Sequence, residues 1–294
     1  MRMLPVLALG LTAACWPARD VTHVMVAGRD VAVWKPAGPA PAAGYPMIVF
    51  SHGFTGCNTQ SVFFTEALAA AGYLVVAPNH ADGRCGTARR SAGGFSVSRP
   101  QPEASFGDAK SWSDSTYRDR LTDIRTILDT ILRTPTWNGV PVDAQRIGIA
   151  GHSLGGYTAL GMAGAWPSWR DPRIKAALGL SPWCLPFIDH GDLGHLHVPV
   201  MYQGGTWDAG ITPSVRRPGG AYDQTAAPKY YVELNRAGHL AWTDLNPRFQ
   251  SVISSYSIAF FDRYVKGSGD TARLAALLRA PLPDGVSDVR SSPR

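Results

Sequence analysis

The chain has 294 residues, 45% of them hydrophobic, and a formal charge of +6. That length and apolar content suffice for one large core, and a single α/β domain commonly runs to this size. The basic residues are scattered, with only Arg84, Arg89, Arg90 and Arg99 gathered in one segment, so no nucleic-acid-binding module is expected.

In chain order, Met1-Arg2 and the apolar run Met3–Ala14 read as an export signal, too short to span a bilayer. Thr12-Ala13-Ala14 before Cys15 resembles a bacterial lipoprotein cleavage site, although Leu11 stands one place early for the usual box. Cys15 is therefore a lipidation candidate, and the expected location is secreted, periplasmic or anchored to the envelope through it. The boundaries drawn are residues 1–20 for the signal, 21–267 for the catalytic domain and 268–294 for a partly disordered extension. Val21–Val33 reads as an antiparallel opening hairpin. Strand-like runs then alternate with helical ones: Pro46–Phe50, helix Gln60–Ala71, Tyr73–Ala77, helix Thr116–Arg133, Arg146–Ala150, Ile174–Leu180, Val198–Gln203 and Lys229–Leu234. Helix Ser251–Lys266 carries Ile253, Tyr256, Ile258, Phe260 and Phe261 as a packing face. This alternation predicts an α/β fold with a mostly parallel, doubly wound sheet flanked by helices. The polar, Gly/Pro-rich segment Gly83–Ser115 interrupts the pattern, and Asp284–Arg294 is expected to fray.

Gly151-His-Ser153-Leu-Gly155 carries the chemistry. The β-branched run before it and the helical stretch Tyr157–Ala163 after it form the strand, sharp turn and helix that expose a serine hydroxyl as a nucleophile. The glycines let strand and helix pass closely while the serine backbone is strained. A serine alcohol needs a histidine base and an acid to orient that base, and in this arrangement they follow in the order Ser, acid, His. Asp208 stands in a glycine-flanked loop after Val198–Gln203, and His239 follows Lys229–Leu234 within a few residues. Ser153, Asp208 and His239 then sit on strand ends of one sheet face. Asp189, Asp192 and Asp223 are fallback acids. His190, His195 and His197 with Asp192 match no tight metal-ligand spacing and read as a solvated loop. His52 and His152 flank glycine turns and are expected to hold loops by hydrogen bonds. Attack on a carbonyl also requires fixed N–H groups for the developing oxyanion. These are expected from Leu154 and from Phe54, in the loop Ser51–Gly56.

These motifs resemble the α/β-hydrolase superfamily over roughly residues 20–267, and within it secreted bacterial serine esterases. The relatives implied are dienelactone-hydrolase-like, platelet-activating-factor-acetylhydrolase-like and cutinase-type polyester hydrolases. Gly53-Phe54-Thr55, Ser181-Pro182-Trp183 and Asp208 with Ile211-Thr-Pro213 lean toward the polyester branch. The resemblance implies that Phe54, Trp183 and Ile211 wall an open acyl cleft, and that short-chain or aromatic esters, and polyesters, are the substrates. Amide hydrolysis by the same triad, or an inactive envelope-binding homologue, are the alternatives. Dienelactone hydrolases use a cysteine nucleophile, from which Ser153 departs. No cofactor or metal motif is present, and a monomer is expected. Cys57 and Cys85 lie on loops after adjacent strands and are disulfide candidates in an exported protein, which leaves Cys184 as a buried thiol.

Overall fold

The apolar runs become one continuous sheet in the computed structural model, which describes residues 21–84, 101–226, 228–267 and 271–293. The strands are β1 Thr22–Val26, β2 Arg29–Trp34, β3 Tyr45–Ser51, β4 Leu74–Pro78, β5 Thr136–Trp137, β6 Val140–His152, β7 Ile174–Leu180, β8 Val200–Gly205, β9 Lys229–Leu234 and β10 Val286–Ser292. Their spatial order is β1-β2-β4-β3-β6-β7-β8-β9-β10, with the two-residue β5 paired to β6. From β4 to β9 neighbouring strands run parallel, while β1, β2 and β10 pair antiparallel at the edges. Every residue of β3, β4 and β8 is buried. Strands covered on both faces need no polar side, so their sequences are near-continuous hydrophobic runs.

The helices are α1 Val62–Ala70, α2 Arg118–Ile131, α3 Leu154–Leu160, α4 Leu185–His190, α5 Thr212–Arg216, α6 Ala221–Gln224, α7 Gln250–Phe261 and α8 Thr271–Leu277. Alternation along β3 separates two cores. Met47 and Val49 face a layer built with Leu121, Ile124 and Leu128 of α2 and Tyr157 and Leu160 of α3. Ile48 and Phe50 face the opposite layer, with Phe64 and Leu68 of α1 and Ile253, Phe260 and Phe261 of α7. The sheet is therefore doubly wound, and the order of its parallel strands brings the ends of β3, β6, β7, β8 and β9 side by side. The fold is that of an α/β hydrolase.

One expectation is corrected. Asp284–Arg294 does not fray over Val286–Ser292: that stretch is β10, in register with β9 from Leu234 to Lys229. Its Val286 and Val289 pack against the α1/α7 core, and Arg290 stacks 5.5 Å from the Tyr231 ring centre. Polar composition argued for disorder; the unpaired edge of β9 supplies the backbone partners that composition does not reveal. The extension beyond residue 267 thus belongs to the same domain. The proposed signal, Cys15, Cys85 and Arg89, Arg90 and Arg99 lie outside the described residues. Cys184 is free and buried. Among the described residues no helix is long and apolar enough to cross a membrane.

Phe261 is fully buried, with its ring 6.3 Å from that of Tyr73 and 5.4 Å from that of Phe260. It also occupies the space over Gly148 of β6, where an added Cβ would meet its Cε1 at 2.9 Å. Phe261→Ala should cost about 3–5 kcal/mol of stability. Urea unfolding of the variant measures this, and a change below about 1 kcal/mol would show that the site collapses around the cavity.

Candidate active site

Strand β6 ends at His152 and α3 begins at Leu154, so the whole turn rests on Ser153, at φ 55° and ψ −116°. This is strained backbone for a residue with a Cβ. Three hydrogen bonds hold it: Ser153 N–H donates to the Leu180 carbonyl (3.0 Å), and its own carbonyl accepts from Trp183 N–H (2.9 Å) and Tyr157 N–H (3.2 Å). The flanking glycines are steric requirements. A Cβ on Gly155 would lie 1.9 Å from the Ser51 carbonyl oxygen, and one on Gly151 would lie 2.1 Å from that of Gly155.

The three residues singled out from the sequence meet. Ser153 Oγ lies 2.9 Å from His239 Nε2, and His239 Nδ1 lies 3.3 Å from Asp208 Oδ2. The Asp208 side chain is 3% exposed and that of His239 35%, so the acid is shielded while the base reaches solvent. Because Asp208 only accepts, Nδ1 carries the hydrogen and Nε2 is free to accept from the serine. The sequence reading gave Ser181 no part beside the acid. Its Oγ donates to Asp208 Oδ2 and lies 3.0 Å from His239 Nδ1, a second oxygen facing the same N–H. Thr212 adds a weaker bond to Asp208 Oδ2 at 3.4 Å. The fallback acids stand elsewhere: Asp189 and Asp223 are exposed, and Asp192 faces His195 at 3.7 Å. His190 donates to the Trp112 carbonyl at 2.7 Å.

Beside Ser153 runs the loop after β3. A Cβ on Gly53 would lie 3.4 Å from the Ser153 Cβ, which places the Gly53–Phe54 peptide at the nucleophile. The Gly53 carbonyl accepts from His52 Nδ1–H at 2.7 Å, Gly56 N–H at 3.0 Å and Arg120 at 3.4 Å. In a trans peptide the N–H points opposite to the carbonyl, so anchoring that oxygen aims the Phe54 N–H. Leu154, the first residue of α3, has an N–H without an intrahelical acceptor. Arg120 is fully buried, donates to the His52 carbonyl at 2.8 Å, and pairs with Asp82 at 2.7 Å. Sequence inspection passed it over as one cation among the many in this chain.

Phe54, Trp183 and Ile211 do gather near the site, with a different division of exposure from that expected. Phe54 and Ile211 are half-buried, whereas Trp183 is only 4% exposed. Phe106 covers it at 5.2 Å between rings and Trp112 at 5.7 Å. Both belong to the segment Gly83–Ser115, of which residues 101–115 carry these two rings onto the aromatic wall. Near the triad, Trp207 is 67% exposed and Leu240 53%. They immediately adjoin Asp208 and His239 in the chain, and the sequence reading did not single them out.

Comparison with known proteins places the chain among ester hydrolases. The model of the family described as PET hydrolase-like matches residues 106–284. That of platelet-activating factor acetylhydrolase, isoform II, matches residues 9–93. The chain is 26% identical to cutinase est1 of Thermobifida alba, over 83% of this chain and 68% of that protein. It is 24% identical to cutinase 2 of Thermobifida cellulosilytica, over 75% of this chain and 69% of the relative. Similarity to the platelet-activating factor acetylhydrolase of Gallus gallus is 23%, over 55% of this chain and 44% of the relative.

Three histidines around the site resist protonation. Burial lowers His152 to about 3. Burial, reinforced by the Arg120 cation, holds His52 and His80 well below the ordinary imidazole value. In the unfolded chain all three bind a proton near pH 6.5. Below that pH the unfolded state therefore binds more protons than the folded one, and stability falls as pH drops. Between pH 7 and pH 5 the loss should be about 2 kcal/mol per histidine. Urea unfolding at the two pH values measures it, and equal stability would contradict the neutral, buried state of these rings.

Proposed function

Because this chain belongs to the PET hydrolase-like family, we propose that it cleaves carboxylic esters through a Ser153–His239–Asp208 triad and an acyl-enzyme. The chain is a carboxylic ester hydrolase by that membership. The observation that carries the mechanism is the aligned pair of contacts from Ser153 to His239 and from His239 to Asp208. His239 Nε2 takes the Ser153 proton as Oγ adds to the ester carbonyl. The resulting oxyanion lies against the N–H groups of Phe54 and Leu154, which are fixed before the substrate arrives. Collapse of the tetrahedral intermediate expels the alcohol, protonated by His239. Water, deprotonated by the same nitrogen, then releases the acid and restores Ser153. Asp208 keeps Nδ1 protonated throughout, and Ser181 holds Asp208 in place.

The substrate reading is short-chain or aromatic esters, extending to polyesters. Supporting it are the half-buried Phe54 and Ile211 and the exposed Trp207 and Leu240, the last two adjoining Asp208 and His239 in the chain. Such exposed apolar side chains accept a compact acyl group or a chain lying across them. The names of the cutinase relatives support the same reading. Export and a Cys57–Cys85 disulfide belong to the proposal. Arg84 N–H donates to the Gly56 carbonyl at 2.9 Å, which brings the residues adjoining both cysteines together.

Ser153→Ala should fold normally and lose about 10⁴-fold or more in ester turnover, because triad members act as a unit. Asp208→Asn should lose less, yet still orders of magnitude. Kinetics on a p-nitrophenyl ester measure both, and near-wild-type kcat in Ser153→Ala would remove the mechanism. Across p-nitrophenyl esters, kcat/KM should peak at acyl chains of about two to eight carbons. A peak at sixteen carbons with interfacial activation would require an enclosed acyl channel and contradict the open cleft.

A further inference from the structure

The loop around Phe54 follows β3 and the loop that carries His239 follows β9, four strands away in the sheet, yet one short chain of hydrogen bonds joins them. Gly53 N–H meets Gln60 Oε1 at 2.9 Å, Gln60 Nε2 meets His152 Nδ1 at 3.0 Å, and His152 Nε2 meets the His239 carbonyl at 2.9 Å. The direction of every bond is determined. A backbone N–H only donates, so the atom it meets is the amide oxygen, and the amide NH2 therefore faces His152. Nδ1 must accept, which leaves the hydrogen on Nε2, aimed at a carbonyl that only accepts. The backbone of Gln60 is itself pinned, its N–H on the Cys57 carbonyl at 3.0 Å and its own carbonyl on Asp244 N–H at 3.2 Å.

We propose that Gln60 is a positioning residue for ester hydrolysis, fixing the oxyanion loop and the histidine loop at one mutual distance through His152. This rests on the triad reading above. The peptide on the carbonyl side of Gly53 is held by His52 and Arg120, and the one on the amide side is held by Gln60. With both gripped, the Phe54 N–H keeps its aim. The same amide, through His152, sets the height of the His239 backbone and so the approach of Nε2 to Ser153. Misplacement by about 1 Å of groups this close to the reacting atoms costs roughly 100-fold in rate.

The charge state of His152 makes the idea testable. The titratable groups facing it are the His239 ring, 4.8 Å away between ring centres, and Asp208 behind that ring. Trp242, Gln60 and the Gly53 backbone are uncharged neighbours. In Gln60→Glu one carboxylate oxygen still accepts from Gly53 N–H, but the other can no longer donate to Nδ1. His152 then needs hydrogens on both nitrogens to keep both bonds, so the chain is complete only while the ring is protonated. Asp208 and the new carboxylate favour that cation. As pH rises the ring loses its proton and one link breaks.

The experiment is the pH dependence of kcat and KM for the wild type, Gln60→Leu and Gln60→Glu on a short p-nitrophenyl ester, with melting temperatures recorded for each. Gln60→Leu should lose roughly 10- to 100-fold in kcat at every pH with KM little changed. Gln60→Glu, the same size and folded, should gain a falling alkaline limb absent from the wild type and from Gln60→Leu. Wild-type kcat in Gln60→Leu, or a wild-type pH profile in Gln60→Glu, would overturn the proposal. A wild type without esterase activity would instead overturn the triad reading beneath it.

Discussion

The backbone of Ser153 is the constraint on which the rest of the site depends. A side chain held at φ 55° and ψ −116° costs of order 1–3 kcal/mol and persists only where the surroundings over-determine it. Here the surroundings are three hydrogen bonds, from β7 and the turn after it and from α3, and the glycines Gly151, Gly155 and Gly156, which let the Ser51 carbonyl and Pro182 press against the turn. The strain has a chemical consequence. It turns Oγ out of the sheet toward His239 and leaves the Leu154 N–H at the start of a helix, without an intrahelical acceptor.

Composition of a triad is not sufficient to make a site, and this chain contains its own control. Ser51 Oγ lies 2.9 Å from His80 Nε2, and His80 Nδ1 lies 2.9 Å from Asp123. The residue types and bonding order are those of Ser153, His239 and Asp208. Ser51 is wholly buried and His80 is 2% exposed, and the Arg120 cation sits 3.4 Å from the serine oxygen. No carbonyl carbon can approach, so this group acts as a brace that ties β3, β4 and α2 beneath the oxyanion loop. What separates the two is access: Ser153 stands at a strained turn and His239 is one-third exposed.

The strands, the turn and the residues that meet there, Ser153, Asp208 and His239, were legible in the sequence because each rests on a local signal. An apolar run followed by glycines announces a strand end, and the order Ser, Asp, His follows from the sheet. Ser181, Gln60 and Arg120 were not legible in the same way. Ser181 meets Asp208 across 27 residues, Gln60 meets His152 across 92 and Arg120 meets the Ser51–Gly53 segment across 67–69, and nothing local distinguishes a serine that supports a carboxylate from one in a loop. Ser181 left the nearest trace, a serine directly after a buried strand in the same register as the nucleophile. The burial of Trp183 was also hidden, because Phe106 and Trp112 lie in a segment whose average composition is polar. An average conceals two rings that pack as a pair.

The central claim is that Ser153 is an activated nucleophile and not merely a serine in a tight turn. Reaction of the wild-type protein with a fluorophosphonate, followed by digestion and mass spectrometry, tests this most directly. The account predicts one covalent phosphonyl adduct, on the peptide containing Ser153, lost when His239 is replaced by alanine. An unmodified Ser153 in a folded protein, or an adduct confined to another residue, would contradict it.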